Sequence, residues 1–402
     1  MSKQQHSDSP GGKAFKRFLK NTPAIFGLVV ICLSVLVSIF AYMLMPDSTH
    51  NADEQVLSIR TENPGFSKTF LTMVRNKQTE KSSFFQRILD GSPSYLEWIP
   101  IQSYSIEGNH IKVTLYEGAN ERGSEVSFLL ADVLYALSPI ADTSAAFLTT
   151  LSGEKVLVSN PEYEKEVLKK HIVKKRFVLG TDKNGRDILS RMILGTRVSL
   201  TVGLISVLIS LCIGVLLGAL AGYYGSWVDD LISWFISVFW SIPTFLLAMG
   251  LAISVGGSKS LMIYIAVGLT MWVDMARIVR QQFISLRKSE FVEASQSLGF
   301  SHFRTIFRHI LPNIMGPLVV IMASDFANAI LIEAGLSFLG LGVQPPKPSW
   351  GQMLAEYRDF LNTDKSYLTL VPGFAVMILV LSFNLIGNGL RDALDVRPQT
   401  KM

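Results

Sequence analysis

Apolar residues in this chain of 402 fall into six long runs, with polar residues gathered between them. The runs cover residues 23–45, 199–221, 231–255, 261–279, 314–334 and 368–390. Each is long enough to cross about 30 Å of hydrocarbon as a helix rising about 1.5 Å per residue. The pattern therefore predicts an all-α polytopic membrane protein with six transmembrane helices. The first run, Ala24 to Met45, is too long for the apolar region of a signal peptide, and no A-x-A-like site closes it. It reads as an uncleaved span behind a tail, residues 1–22, whose polar start from Met1 to Gly12 is expected to be disordered. Gly203, Ser206, Ser210, Gly214 and Gly218 give the second span a side where another helix can approach closely. Pro243 predicts a kink in the third.

Residues 46–176 break the series of runs and read differently. Ser103–Ile106 and Ile111–Tyr116 flank the turn-like Glu107–His110 and predict two strands with a short connection. Val126, Phe128 and Leu130 alternate, as do Val156 and Val158, whereas the charged stretch Pro161 to Lys175 predicts a helix. A small α+β domain inserted between helices 1 and 2 follows, with residues 177–402 carrying the other five spans.

One polar, basic stretch, residues 289–313, lies between two spans and has helical periodicity. Ser289 is placed to cap a helix, and Glu290 suits the positive helix end. Phe291, Ala294 and Leu298 predict an apolar side for this first helix, and Gly299 ends it. Ser301 is placed to cap a second helix, in which Phe303, Ile306, Phe307, Ile310 and Leu311 form a stripe. Arg304 and Arg308 lie off that stripe, four apart. Pro312 is expected to end the helix and start a new direction.

Composition agrees with membrane spans: 49% of residues are hydrophobic, only 17% are charged, and mean hydropathy is +0.34. The net charge of +5 does not point to nucleic acid, because no basic patch with interleaved aromatics is present. Lys13, Lys16, Arg17 and Lys20 precede the first span; Arg277, Arg280, Arg287, Lys288, Arg304 and Arg308 surround 289–313; Arg391, Arg397 and Lys401 follow the last span. That distribution places both termini and the polar stretch in the cytoplasm, and residues 46–176 on the other side. The turn Gly222–Asp230 should also be cytoplasmic, yet it contains no Lys or Arg. Cys32 and Cys212 both lie in apolar runs, which argues against disulfides and zinc.

No catalytic set is visible. The chain has no G-x-x-x-x-G-K-[ST] phosphate loop, and Gly257–Ser260 lacks the spacing. There is no H-E-x-x-H and no close His/Cys cluster. Asp182, Asn184 and Asp187 fail the spacing of a calcium-binding loop. Charge within spans is costly and so informative. Asp274 and Arg277, three apart on the fourth span, can pair with each other or contact a substrate. Asp325, Asn328 and Glu333 on the fifth can line a translocation path or bond neighbouring helices. Asn384 and Asn388, one turn apart on the sixth, are expected to bond another helix.

The segment E-A-S-x-x-x-G, followed after nine residues by H-I-L-P-N, resembles the E-A-A loop of ABC-importer permeases. Ser295 stands where the second Ala is usual. L-G-T-D-K-N-G-R-D-I-L-S-R from Leu179, S-F-L-G-L-G-V-Q-P-P-K-P-S-W-G from Ser337 and F-K-R-F-L-K-N-T-P-A-I-F-G-L from Phe15 are similar to further signatures of the peptide and nickel branch. The resemblance implies the C-type permease subunit of an oligopeptide or dipeptide importer, with the type I importer architecture, in a bacterial cytoplasmic membrane. It implies a second homologous permease, two ABC ATPase subunits, an extracytoplasmic binding protein, a lipid surround and a peptide substrate. ATP would bind to the partner subunits and this chain would need no cofactor. Glu290, Glu293, Ala294, Gly299, Arg304, Arg308, His309 and Pro312 then take the part of ATPase-coupling residues. A nickel or metal-chelate permease is the near alternative, and a membrane-anchored extracytoplasmic binding or assembly protein the distant one. Residues 46–176 lie outside the resemblance.

Overall fold

The computed structural model describes residues 10–76, 83–118, 123–138, 147–254 and 260–394. In chain order α1 is Pro10–Phe18, α2 Thr22–Ile39 and α3 Ala41–Leu44. There follow β1 Phe66–Val74, α4 Phe84–Asp90, β2 Leu96–Glu107, β3 His110–Leu115, β4 Glu125–Leu129 and α5 Leu130–Leu134. Next come β5 Phe147–Thr149, β6 Lys155–Leu157, α6 Pro161–Glu166 and β7 Ile172–Phe177. The helices α7 Ile188–Tyr224, α8 Ser226–Trp240, α9 Thr244–Ser254, α10 Ser260–Leu286 and α11 Glu290–Ser297 lead to α12 His302–Arg304. A π-helical turn over Thr305–Ile310 and a 3-10 turn over Leu311–Ile314 join α12 to α13 Met315–Phe338, before α14 Trp350–Tyr357 and α15 Tyr367–Leu394. The chain divides into two compact units.

The first unit comprises residues 1–38, 195–361 and 369–402. Among the described residues, five helices are long and apolar enough to cross a membrane, and α8 with α9 form a sixth candidate that is bent by 90°. The span expected over 231–255 with a kink at Pro243 is thus a broken one. Residues Ser241 to Pro243 separate its halves, and Pro243 lacks the N–H that would continue the helix. Its last residue, Val255, lies outside the described residues, as do Gly257, Arg397, Lys401 and the polar start as far as residue 9. The first span ends at Ile39 rather than residue 45, and a separate short helix follows it. Pro312 does not redirect the chain either. It sits in the first turn of the 3-10 segment, where its missing N–H goes unused, and the helical path continues from His302 to Phe338.

The second unit comprises residues 39–194 and 362–368. Its sheet is antiparallel in the order β4-β3-β2-β1-β7, beside a two-stranded β5-β6 hairpin. Alternate residues of β1 serve opposite faces: Leu71 and Met73 pack with Ile101, Ile111, Val113 and α5, while Phe70 packs with Ile59, Tyr116 and Phe177. The helix expected over Pro161–Lys175 ends early, because Ile172–Phe177 pairs with β1 as an edge strand. Part of the charge that suggested a helix, Lys174 and Lys175, is, with Arg176 after it, the kind that protects a sheet edge. The segment 362–368 joins this unit through Tyr367, whose hydroxyl donates to the Glu62 carbonyl at 2.8 Å, and through Lys365, which donates to Asn63 Oδ1 at 2.6 Å. The unit is therefore not one uninterrupted insert.

The stretch from Leu179 is structural within this unit. Asp182 accepts from the backbone N–H of Asn184 and Arg186 at 2.8 and 2.9 Å and from Arg186 Nε at 2.6 Å. Asp187 caps α7 by accepting from the Ser190 N–H at 3.0 Å. The described residues contain no group of three or more side chains arranged to hold a metal.

Tyr116 is nearly enclosed, and its hydroxyl donates to Glu62 Oε1 at 2.9 Å. Burial, and then the Glu62 carboxylate, push its phenol up to about 12. The fold thus keeps a proton that the unfolded chain releases near pH 10. The contribution is complete below about pH 10 and is lost as pH rises through about 12. Alkaline titration followed by near-UV absorbance should show one late-ionising tyrosine fewer in Tyr116→Phe than in the unsubstituted chain, and the variant should lose less stability over that interval.

Candidate functional site

The stretch 289–313 is seated rather than loose. Val292, Ile306, Ile310 and Ile314 are buried in one cluster with Ala219 and Tyr223 of α7, Met275, Val279 and Phe283 of α10, and Leu318 and Ile321 of α13. The buried side of α11 is Val292 and Ser295, not the expected Phe291, Ala294 and Leu298. Ser295 packs where its hydroxyl lies 3.3 Å from the Thr305 hydroxyl, so a small residue is required there. In the second helix the expected stripe is split: Ile306 and Ile310 point inward, while Phe303 is 71% exposed. The π turn over Thr305–Ile310 changes the angular step and turns Thr305 inward as well. Ser289 does not cap α11 with its side chain; its hydroxyl donates to the Leu286 carbonyl instead.

This packing leaves Phe291, Leu298, Phe303 and Phe307 exposed, with the Phe303 and Phe307 rings 4.4 Å apart. Glu290, Glu293, Ala294, Gly299, Arg304, Arg308 and Pro312 are exposed too, and His309 is half-buried. Gly299 has φ +75° and open space around it, so its requirement is conformational rather than steric. Phe300 organises two of the expected residues: His309 stacks on it at 5.6 Å, and the Arg304 guanidinium lies over it at 4.1 Å. An exposed apolar set rimmed by charge of both signs is the kind of surface another protein covers.

The stretch is also tied to the α7–α8 turn, which the sequence left without a basic residue. Arg280 of α10 binds Asp229 with two bonds of 2.5 and 2.7 Å, and Arg287 Nη1 donates to the Gly222 and Tyr223 carbonyls at 3.4 Å. The Tyr223 hydroxyl lies 2.8 Å from His302 Nδ1. The sequence reading missed Tyr223, Asp229, Phe300 and His302, and no local signal marks them.

The polar residues within spans separate. Asp325 is buried and accepts from the Ser210 hydroxyl at 3.4 Å. Glu333, 1% exposed, accepts from the hydroxyls of Ser337 at 2.7 Å and Ser349 at 3.0 Å. Ser349 caps α14, and Ser337 also accepts from the Val343 N–H, so one carboxylate gathers both ends of the loop between α13 and α14. Asn328 is exposed, so these three residues do not share a face. Asp274 and Arg277 do not pair: Arg277 lies over the Trp240 ring at 4.0 Å, and Asp274 is exposed. Asn384 and Asn388 also stand exposed.

Residues 214–399 match the family described as binding-protein-dependent transport system inner membrane component, and residues 9–63 match the N-terminal TM domain of oligopeptide transport permease C. The chain is 44% identical to the dipeptide transport system permease protein DppC of Alkalihalophilus pseudofirmus, over 54% of this chain and 70% of that protein. It is 46% identical to the oligopeptide transport system permease protein OppC of Salmonella typhimurium, over 54% of this chain and 71% of that protein. A solved chain of the inward-facing MetNI methionine ABC transporter aligns with a TM-score of 0.43 and 17% identity, over 51% of this chain and 97% of that chain.

Glu333→Leu should leave the Ser337 and Ser349 hydroxyls without their buried acceptor, at a cost of about 2–3 kcal/mol. Glu333→Gln keeps an acceptor oxygen and should cost less. Thermal unfolding of the purified protein in detergent checks the order, with hydrogen exchange expected to rise in residues 339–352 of the Leu variant first.

Proposed function

This chain belongs to the family of binding-protein-dependent transport system inner membrane components, and on that premise we propose that it is the permease subunit of an ATP-driven peptide importer in a bacterial cytoplasmic membrane. Peptides are the substrate class because the relatives carry dipeptide and oligopeptide transport names. The observation that carries the mechanism is the seated stretch 289–313, with its inner side in the helix core and Phe291, Leu298, Phe303 and Phe307 outside. In this reading two ATPase subunits, which hold the ATP, engage the outer side together with Glu290, Glu293, Arg304 and Arg308. A second, homologous permease forms the other half of the path. Closure of the ATPases displaces a packed body rather than a flexible loop, and so switches the path between two states.

Both termini and residues 289–313 face the cytoplasm, and an extracytoplasmic binding protein delivers peptide on the side of residues 46–176. Among the polar residues of the fourth and fifth spans, Asn328 and Asp274 are exposed and in this reading belong to the path wall; an uncovered carboxylate in hydrocarbon costs several kcal/mol. Asp325 is buried against Ser210 of α7, and Glu333 holds the loop before α14.

Gentle purification from native membranes should recover two ATPase subunits and one sister permease, and the isolated subunit should hydrolyse no ATP. Recovery of the chain alone, or hydrolysis by it, refutes the reading. Phe303→Asp with Leu298→Asp should leave the chain inserted but abolish co-purification of the ATPases. For orientation, single cysteines at Tyr104 and Lys347, both exposed, should react with an impermeant reagent in intact cells, and one at Ser301 should not. Ser349 is unsuited to this test because it is fully enclosed.

A further inference from the structure

Three glycines one turn apart, Gly214, Gly218 and Gly222, seat α7 directly on α10. A Cβ at these positions would lie 2.6 Å from Met275 Cβ, 2.5 Å from the Ala276 carbonyl oxygen and 2.5 Å from Phe283 Cβ. Such a contact leaves no room for one helix to slide on the other. The last carbonyls of α7, which have no intrahelical donor, are met by Arg287 of α10. The chain then turns at Gly225, φ +67°, into α8, where Arg280 of α10 holds Asp229. One residue of this turn reaches the coupling stretch through a polar contact. Tyr223 is 8% exposed, its ring meets the His302 ring edge-on at 5.6 Å, and its hydroxyl closes the bond to Nδ1.

We propose that Tyr223 is a positioning residue for coupling: through His302 it fixes the stretch 289–313 to the cytoplasmic end of α7, so that α7, α10 and the stretch move as one body. The inference rests on the reading of 289–313 as the ATPase-facing element. A tyrosine that only filled volume in this cluster would need no hydroxyl, and phenylalanine would replace it. Here the hydroxyl is aimed at a side chain on an exposed three-residue helix, α12. A bond to an exposed partner adds little to folding stability, but it defines where that partner sits. Without it α12 is held to α7 by the contacts of the His302 ring with the Tyr223 and Tyr224 rings, 5.6 and 5.9 Å away, and these fix its position less sharply than a hydrogen bond does. The displacement that the ATPases impose on α11 and α12 would then be absorbed at the joint instead of reaching α7 and, through Asp229, α8.

The test uses the complete transporter, with its sister permease and ATPases, in proteoliposomes with its binding protein outside. Basal hydrolysis, binding-protein-stimulated hydrolysis and peptide uptake are measured for Tyr223→Phe, His302→Leu and His302→Asn. Tyr223→Phe and His302→Leu should assemble with the ATPases and keep basal hydrolysis. Their stimulated-to-basal ratio and uptake should both fall about five- to tenfold, the worth of one lost hydrogen bond. His302→Asn presents a polar atom near the place of Nδ1 and should recover most of both. Unchanged ratios in Tyr223→Phe and His302→Leu overturn the proposal, as does a loss accompanied by failed assembly, which marks a role in folding alone. Equal losses in His302→Asn and His302→Leu also overturn it. Failure of the wild-type chain to bring down ATPases refutes the coupling reading itself, and is distinguishable because it precedes any variant.

Discussion

The cluster that joins Val292, Ile306 and Ile310 to α7, α10 and α13 is the constraint on which the membrane unit depends. A helix-turn-helix of this size has too few residues to be stable by itself. Its order comes from burying three β-branched side chains against helices that reach into the membrane. The same burial decides which side of α11 is outside, and so which residues a partner can meet.

Small residues set the geometry of that cluster. Gly214, Gly218 and Gly222 let the α7 and α10 backbones come close, and Ser295 lets α11 approach the π turn. Lipid offers no hydrophobic drive to hold two apolar helices together, so close contact and polar bonds must do it. Arg280 and Arg287 supply those bonds where α7 and α8 meet. They also account for a turn that carries no basic residue of its own: the cations come from a neighbouring helix.

In the unit of residues 39–194 and 362–368 the organising feature is β1, which is buried on both faces and paired on both edges. A strand so placed shows no clean alternation in sequence, which explains why F-S-K-T-F-L-T-M-V gave no signal. Its neighbour β7 was hidden for the opposite reason, since an edge strand can carry Lys174 and Lys175 and look like a polar helix. The hairpin of β2 and β3 was legible because Gly108, φ +62°, marks its turn and buried Ile111 and Val113 alternate with exposed residues along β3.

By itself the sequence determined the elements whose cause is local: the apolar runs, the stop at Gly299, the strands beside Glu107–His110 and the motifs that indicated the family. Those signals act over a few residues, where periodicity and backbone preference are sufficient. The tertiary structure alone decided what depends on distant partners. It placed the 90° break near Pro243 where a kink was expected, and turned Phe291 and Leu298 outward. It set Arg277 on Trp240 instead of Asp274, and spent Glu333 on Ser337 and Ser349. It also joined Tyr223 to His302 across 79 residues of chain. Polar side chains have several possible partners of similar local merit, and the choice among them is made by which helices the packing brings into contact.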